Sequence, residues 1–87
     1  MKDTEYKTLL DIAEDVLKEK ESLDFATLFN KIKEVLFNRW RMETNFSITD
    51  EQLLTKKRGE LYRLLTIDGR FFHNIDGTWT TIRPEHN

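Results

Sequence analysis

The chain has no cysteine among its 87 residues. Disulfide bonds and thiolate metal sites, which stabilise many domains of this size, are therefore excluded. A chain this short buries only about 60% of the surface of its unfolded form, so its apolar core must be economical. Absence of cysteine is typical of proteins of the reducing cytoplasm, and we expect that location.

Long apolar runs and catalytic signatures are also missing. No stretch approaches the ~20 apolar residues that cross a bilayer, and Met1-Lys2-Asp3-Thr4 does not begin a signal peptide, so we expect no membrane association. The sequence has no glycine-rich phosphate loop, no recognisable pair of catalytic carboxylates and no nucleophile beside a base. Its two histidines, His73 and His86, are too isolated to hold a metal. We therefore expect a non-catalytic protein with no cofactor.

The charge balance bears on the class of partner. Charged residues make up 34% of the chain and the net charge is −2, which argues against DNA binding driven by charge alone. Residues 1–24 hold eight acids and four lysines, whereas residues 39–83 hold eight bases and six acids. This asymmetry is compatible with a basic side in the C-terminal half or with an ordinary mixed surface.

Two amphipathic helices are predicted in the first half of the chain. Apolar residues recur every three or four positions from Tyr6 to Leu17, and Asp3 or Thr4 is suited to cap that helix. Asp24 is suited to cap a second helix, whose apolar stripe ends near Met42. That stripe comprises Phe25, Leu28, Phe29, Ile32, Leu36 and Trp40.

A third helix is predicted to begin after residues 43–48, which are polar or mixed and predict a loop. Thr49 and Gln52 form a capping-box pattern. The same period calls for an apolar residue at Arg58, and Gly59 costs roughly 1 kcal/mol relative to alanine. The predicted apolar positions are Leu54, Leu61 and Leu65, flanked by Leu53 and Leu64.

The last part of the chain predicts a β-hairpin with strands over residues 70–73 and 78–82, ended by Pro84. Phe71 and Trp79 are expected in the core, although a base-stacking platform is the alternative. Both rings share a face only if His73 pairs with Trp79. That pairing requires a three-residue loop over 75–77, with Gly77 in the left-handed region.

Three helices followed by a hairpin, with Leu23 placed for a short strand that pairs with it, predict an α+β winged-helix fold. Residues 1–87 are expected to form one domain.

The segment Leu65-Thr66-Ile67-Asp68-Gly69-Arg70-Phe71, followed by Asp76-Gly77-Thr78-Trp79, resembles the end of the HARE-HTH domain. In particular it is similar to the N-terminal domain of bacterial RNA polymerase delta subunits. The similarity extends back through Leu23-Asp24-Phe25, Leu28 and Ile32. It implies an accessory subunit that docks on the RNA polymerase core and tunes its hold on nucleic acid.

Three features depart from that family. The region 37–48 is longer than expected, Arg58 replaces an apolar residue, and these 87 residues hold no long acidic tail. Displacement of nucleic acid is attributed in the family largely to the tail, so that activity is not expected of these residues.

The outward face of the third helix is the candidate site. At 100° per residue, with Leu61 facing the core, the residues that point outward are Gln52, Thr55, Lys56, Gly59, Arg63 and Thr66. Such a face reads DNA in some winged helices, docks on protein in others, or is simply solvated. Two bases make a thin footprint for DNA, so we predict protein docking. The predicted partner-binding residues are Gln52, Thr55, Lys56, Arg63 and Arg70.

Asp68 and Arg70 admit two interpretations. They form an acid–base site, or Asp68 caps or tightens the turn and Arg70 is a surface residue that can pair with it, and we favour the second. For the whole chain we predict a monomeric accessory subunit bound to the RNA polymerase core, with weak contact to nucleic acid at most. The alternatives are a DNA-binding regulator and an adaptor whose long second helix pairs with a partner helix. An exposed Trp40 or Phe46 would favour the adaptor.

Overall fold

The structure, a computed structural model, describes residues 7–83. Within that range the chain forms α1 (Leu9–Lys20), β1 (Ser22–Leu23), α2 (Phe25–Met42), α3 (Asp50–Ile67), β2 (Phe72–His73) and β3 (Trp79–Thr80). This is the predicted α+β class, in a winged-helix arrangement. None of the helices in residues 7–83 is long and apolar enough to span a membrane.

The start of α1 differs from the prediction. The helix begins at Leu9, where Thr8 and Asp11 form a capping box: each side chain accepts a hydrogen bond from the other's backbone N–H, at 3.1 and 3.0 Å. The predicted caps, Asp3 and Thr4, lie outside the described residues. A threonine three positions before a carboxylate is itself a start signal, and here it sets the beginning of the helix.

The starts of α2 and α3 are confirmed. Asp24 accepts a hydrogen bond from the backbone N–H of Thr27 at 3.2 Å. Thr49 and Gln52 form the predicted capping box, with distances of 3.0 and 3.1 Å. These caps satisfy backbone donors that the first turn of a helix leaves without partners.

At two positions of α3, the residue that faces the core is the one before the residue that the sequence predicted. The buried residues are Leu53, Leu61 and Leu65, whereas Leu54 is only partly buried. The polar residue on this row is therefore Lys57 rather than Arg58. The Lys57 ammonium lies 5.5 Å from the centre of the Trp40 ring.

The sheet is antiparallel with the strand order β1-β3-β2, so Trp79 in the middle strand pairs with both Leu23 and His73. Asn74 donates its backbone N–H to the Thr78 carbonyl at 2.8 Å, which closes a three-residue loop over 75–77. Gly77 has a φ of +93°. The predicted strand near Leu23, the hairpin register and the glycine conformation are all confirmed.

The hairpin strands are shorter than predicted. Arg70 and Phe71 belong to the turn after α3 rather than to a strand. The Thr80 hydroxyl donates to the carbonyl of Glu21 at 2.6 Å and accepts from the N–H of Ile82 at 3.1 Å, and the chain leaves the sheet there. Pro84, the predicted terminator, lies outside the described residues.

The core lies where the three helices and the sheet meet. Phe71 and Trp79 are 6% and 3% exposed, which confirms their predicted burial. Aromatic rings connect the end of α2 with the sheet, since centroids 4.2–6.4 Å apart link each ring to the next. In order, these rings belong to Trp40, Phe29, Phe25, Tyr62, Trp79 and His73.

Candidate functional site

The outward face of α3 is exposed as predicted. All six residues assigned to it are accessible: Gln52, Thr55, Lys56, Gly59, Arg63 and Thr66. Hydrophobic burial of Leu53, Leu61 and Leu65 fixes the rotation of the helix and leaves the opposite side to solvent. We call these six residues the α3 face.

Two cations of the α3 face are available to a partner. Within residues 7–83, the side chains of Lys56 and Arg63 have no ion pair and no hydrogen bond. They are seven positions apart, so a rise of 1.5 Å per residue separates them by about 10 Å along the helix axis. By contrast, the Gln52 side-chain oxygen is engaged in the capping box, and the Thr66 hydroxyl donates to the Arg63 carbonyl at 2.6 Å.

The other two bases of α3 are turned towards aromatic side chains. Lys57 lies over Trp40 and its ammonium is 3.4 Å from a Glu60 oxygen. The guanidinium carbon of Arg58 lies 5.0 Å from the centre of the Phe29 ring. Cation–π contacts of this kind stabilise the packing of long basic side chains on a core. Two of the four basic residues of α3, Lys57 and Arg58, therefore contribute to the packing of the domain.

The structure places Arg70 in a different environment from the rest of the predicted site. Its Nη1 is 3.1 Å from oxygens of both Asp11 and Glu14 on α1. Its Nε and Nη2 donate to the two carboxylate oxygens of Asp68, at 3.0 and 3.1 Å. The guanidinium also lies over the Phe71 ring, with 5.5 Å to its centre. We call Arg70 and its three carboxylates the Arg70 cluster.

The electrostatics of the Arg70 cluster favour the ionised forms of Asp11, Asp68 and Arg70. The pKa of Asp68 is lowered, first by the hydrogen bond from the Arg70 guanidinium and then by the Arg70 backbone N–H. The pKa of Asp11 is lowered mainly by the Thr8 backbone N–H and next by Arg70. The same bonds, above all that to Asp68, raise the pKa of Arg70. Because these shifts favour the charged forms of Asp11, Asp68 and Arg70, their ion pairs connect α1 to the turn after α3 near neutral pH.

An exposed Trp40 or Phe46 favours the adaptor, and the structure exposes Phe46 alone, on a surface formed where α2 meets α3. Phe46 is 95% exposed and Met42 is 86% exposed, and Ile48 is also exposed. Trp40, the other residue expected to be diagnostic, is buried against Phe29 instead. The only sign of this surface in the sequence is Phe46, an aromatic residue within a polar loop. Such a residue packs inward in many loops.

A cavity of about 270 Å³ opens between α2 and α3. Its lining combines two partly buried apolar side chains with polar and charged ones, namely Phe37, Leu54, Lys33, Glu34, Asn38 and Asp50. Asp50 also accepts a hydrogen bond from Arg41. This bond helps to anchor the loop between α2 and α3. The cavity therefore borders the exposed loop.

Metal-binding geometry is not found within residues 7–83, where no three histidine or acidic side chains group suitably. His73 is exposed and stacks on Trp79, with ring centroids 4.2 Å apart, whereas His86 lies outside the described residues. Comparison of the chain with models of protein families, with curated proteins and with solved structures finds no match.

Proposed function

We propose that this chain is a HARE-HTH-type, delta-like accessory subunit of bacterial RNA polymerase. It acts in the cytoplasm as a monomer, by binding rather than by catalysis, and docks on the polymerase core. The observation that carries the docking mode is the α3 face, an exposed helix surface with two available cations, Lys56 and Arg63. A sparse pair of cations on a flat helix surface suits acidic groups on a protein.

The number of available bases favours protein over DNA as the partner of this face. A protein that neutralises six to ten phosphates needs a denser patch of lysine and arginine. Here Lys57 and Arg58 lie over aromatic rings, and Arg70 is surrounded by three carboxylates. The chain as a whole carries a net charge of −2. Contact with nucleic acid is expected to be weak.

The segment that resembles the delta subunit family supports the proposal at the level of the fold. Asp68 tightens the turn by accepting the Arg70 backbone N–H at 2.9 Å, Arg70 clasps α1, and Phe71 enters the core. Each of these roles is internal to the domain. The polymerase core as the partner is taken from the resemblance, and a binding measurement must test it.

The test measures association of the chain with purified polymerase core, with and without competing duplex DNA. Lys56→Glu combined with Arg63→Glu should weaken association without unfolding the domain, because both side chains are exposed. Lys20→Glu combined with Lys31→Glu, at two lysines without an ion pair within residues 7–83, changes the net charge equally and should leave association nearly unchanged. Failure of the unmodified chain to bind the polymerase core would refute the proposal. Submicromolar binding to duplex DNA at physiological salt would favour a DNA-binding regulator instead.

A further inference from the structure

The loop between α2 and α3 is held in one conformation by Arg41. The Nη2 atom of Arg41 donates to the carbonyls of Asn45 and Ile48, at 2.9 and 2.7 Å. Its Nη1 atom donates to Asp50 Oδ1 at 2.7 Å, which connects the loop to the first turn of α3. Within the loop, Asn45 Oδ1 accepts the backbone N–H of Ser47 at 2.8 Å.

This anchored loop presents apolar side chains to solvent. Met42, Phe46 and Ile48, which we call the loop patch, are all exposed, and Phe46 is almost fully so. A single exposed apolar residue needs no explanation, but here three fall within seven positions on an ordered turn. Because the loop is ordered before binding, a partner loses little affinity to fixing it.

The charged residues within the stretch 42–54 are all acidic. The stretch 42–54 contains Glu43, Asp50 and Glu51, and it contains no lysine or arginine. Arg41, beside this stretch, forms an ion pair with Asp50, so Glu43 and Glu51 carry its uncompensated charge. An acidic border of this kind attracts basic groups on a partner and repels the phosphates of nucleic acid or of anionic lipid.

The neighbouring cavity fits a basic side chain. Phe37 and Leu54 supply apolar surface for an aliphatic stem, while Glu34 supplies a carboxylate for its charged end. Asp50, on the same rim, is already paired with Arg41. Long basic side chains bind in this amphipathic way, with the stem against apolar surface and the charge at the rim. Lys33 also lines the cavity and offsets part of its negative charge.

We propose that the loop patch and this cavity form a second docking surface, distinct from the α3 face. Its occupant is a protein that offers an apolar pocket for Phe46 and, beside that pocket, a lysine or arginine for the cavity. Under the proposed function this protein is the polymerase core, and the inference rests on that proposal. A second copy of the chain fits less well, since a symmetric contact would bring the acids of 42–54 face to face.

The test uses the full chain and purified polymerase core, and measures the dissociation constant of each variant. Phe46→Ser should raise it at least ~10-fold, as loss of an aromatic anchor at the centre of an interface does. Ile75→Ser is the matched control, because Ile75 is equally exposed but lies at the hairpin loop, and should change it less than ~2-fold. Thermal melts should be alike for the three proteins.

A second pair of variants tests the cavity. Glu34→Lys places a cation where the partner's base is expected and should weaken binding several-fold. Glu19→Lys makes the same charge change on α1, at an exposed residue, and should have little effect. Sedimentation of the unmodified chain and of Phe46→Ser tests self-association.

The outcomes are separable. If the unmodified chain does not bind the polymerase core, the proposed function and this inference are both refuted. If it binds and only the Lys56/Arg63 double variant is weakened, the second surface is refuted and the proposed function stands. Equal losses for Phe46→Ser and Ile75→Ser would show general adhesion of apolar residues and refute the site. If the unmodified chain is a dimer and Phe46→Ser is a monomer, the occupant of the surface is a second copy of the chain, and the proposal is refuted.

Discussion

Arg70 donates a hydrogen bond from Nη1 to Asp11 Oδ1 at 3.1 Å, although 59 positions separate the two residues in the chain. The same guanidinium binds Glu14 and Asp68. One side chain therefore connects the first helix to the turn that leads from α3 into the hairpin. In a domain with strands of two residues, such a contact helps to set where the hairpin lies.

Removing this cation should destabilise the domain. We expect Arg70→Gln to lower the melting temperature by several degrees, because three carboxylates lose their common partner while their mutual repulsion remains. Arg63→Gln is the matched control, since the Arg63 guanidinium has no partner within residues 7–83. Thermal denaturation followed by circular dichroism measures both, and equal melting temperatures for the two variants would contradict the role of the cluster.

The Arg70 cluster also predicts a dependence of stability on pH. The pKa values of Asp68 and Asp11 lie below their ordinary value of 3.8 in the folded chain. A lowered pKa means that folding favours the ionised form, so this stabilisation is present above that ordinary value and is lost as pH falls through the folded-state pKa. The melting temperature should therefore fall as the pH is lowered through this range.

Arg70→Gln supplies the control for this pH effect. Without the guanidinium, the pKa of Asp68 should return towards its ordinary value, because Arg70 is the first cause of its shift. The difference in melting temperature between the unmodified chain and Arg70→Gln should then shrink as the pH falls below 3.8. A difference that stays constant down to about pH 2 would exclude ionised Asp68 as its source.

Trp79 is expected to be essential for the fold. It is buried in the middle strand, stacks on His73 and meets the edge of Tyr62. Trp79→Ala should cost about 3–5 kcal/mol, against a typical total of about 5–15 kcal/mol, and leave the domain largely or partly unfolded. Phe46→Ala, at an exposed aromatic residue, should change stability by less than about 0.5 kcal/mol. Urea denaturation distinguishes the two, and a Trp79→Ala transition close to that of the unmodified chain would contradict the prediction.

Two glycine substitutions should change the stability of the domain in opposite directions. Gly59 lies within α3 and a methyl group there meets nothing within 4 Å, so Gly59→Ala should stabilise the domain by roughly 0.5–1 kcal/mol. Gly77 has equal space but a φ of +93°, where an L side chain is strained, so Gly77→Ala should destabilise it by about 1 kcal/mol. Chemical denaturation of both variants measures the signs, and stabilisation by Gly77→Ala would argue against the three-residue loop.

Binding to duplex DNA should be weak. With only Lys56 and Arg63 available on the α3 face, we expect affinities near or weaker than the ~10⁻⁴–10⁻⁶ M of non-specific contacts. Titration of random-sequence duplex at two salt concentrations measures the affinity and its salt dependence together. A steep salt dependence that the Lys56/Arg63 charge reversal abolishes would show that several phosphates are contacted there.

Local signals in the sequence predicted the helix starts at Asp24 and Thr49 and the conformation of the hairpin loop. A helix cap depends on a side chain and a backbone N–H within three positions of each other, as Thr49 and Gln52 show. Residues that are neighbours in the sequence are therefore sufficient to identify it. The register of the hairpin followed from the two-residue period of a strand, because only one loop length places Phe71 and Trp79 on the same face.

What the tertiary structure decided concerns contacts between elements that are distant in the chain. Arg70 pairs with Asp68 as predicted, but α1 supplies its other two carboxylates, and no local pattern encodes that approach. Lys57 rather than Arg58 faces the core because the rotation of α3 depends on how it packs against α2. Trp40 is buried as its place in the apolar stripe of α2 predicts. Phe46 lies in a loop, where no periodicity indicates which side chains are covered, so only the packing of the helices decides that it is exposed.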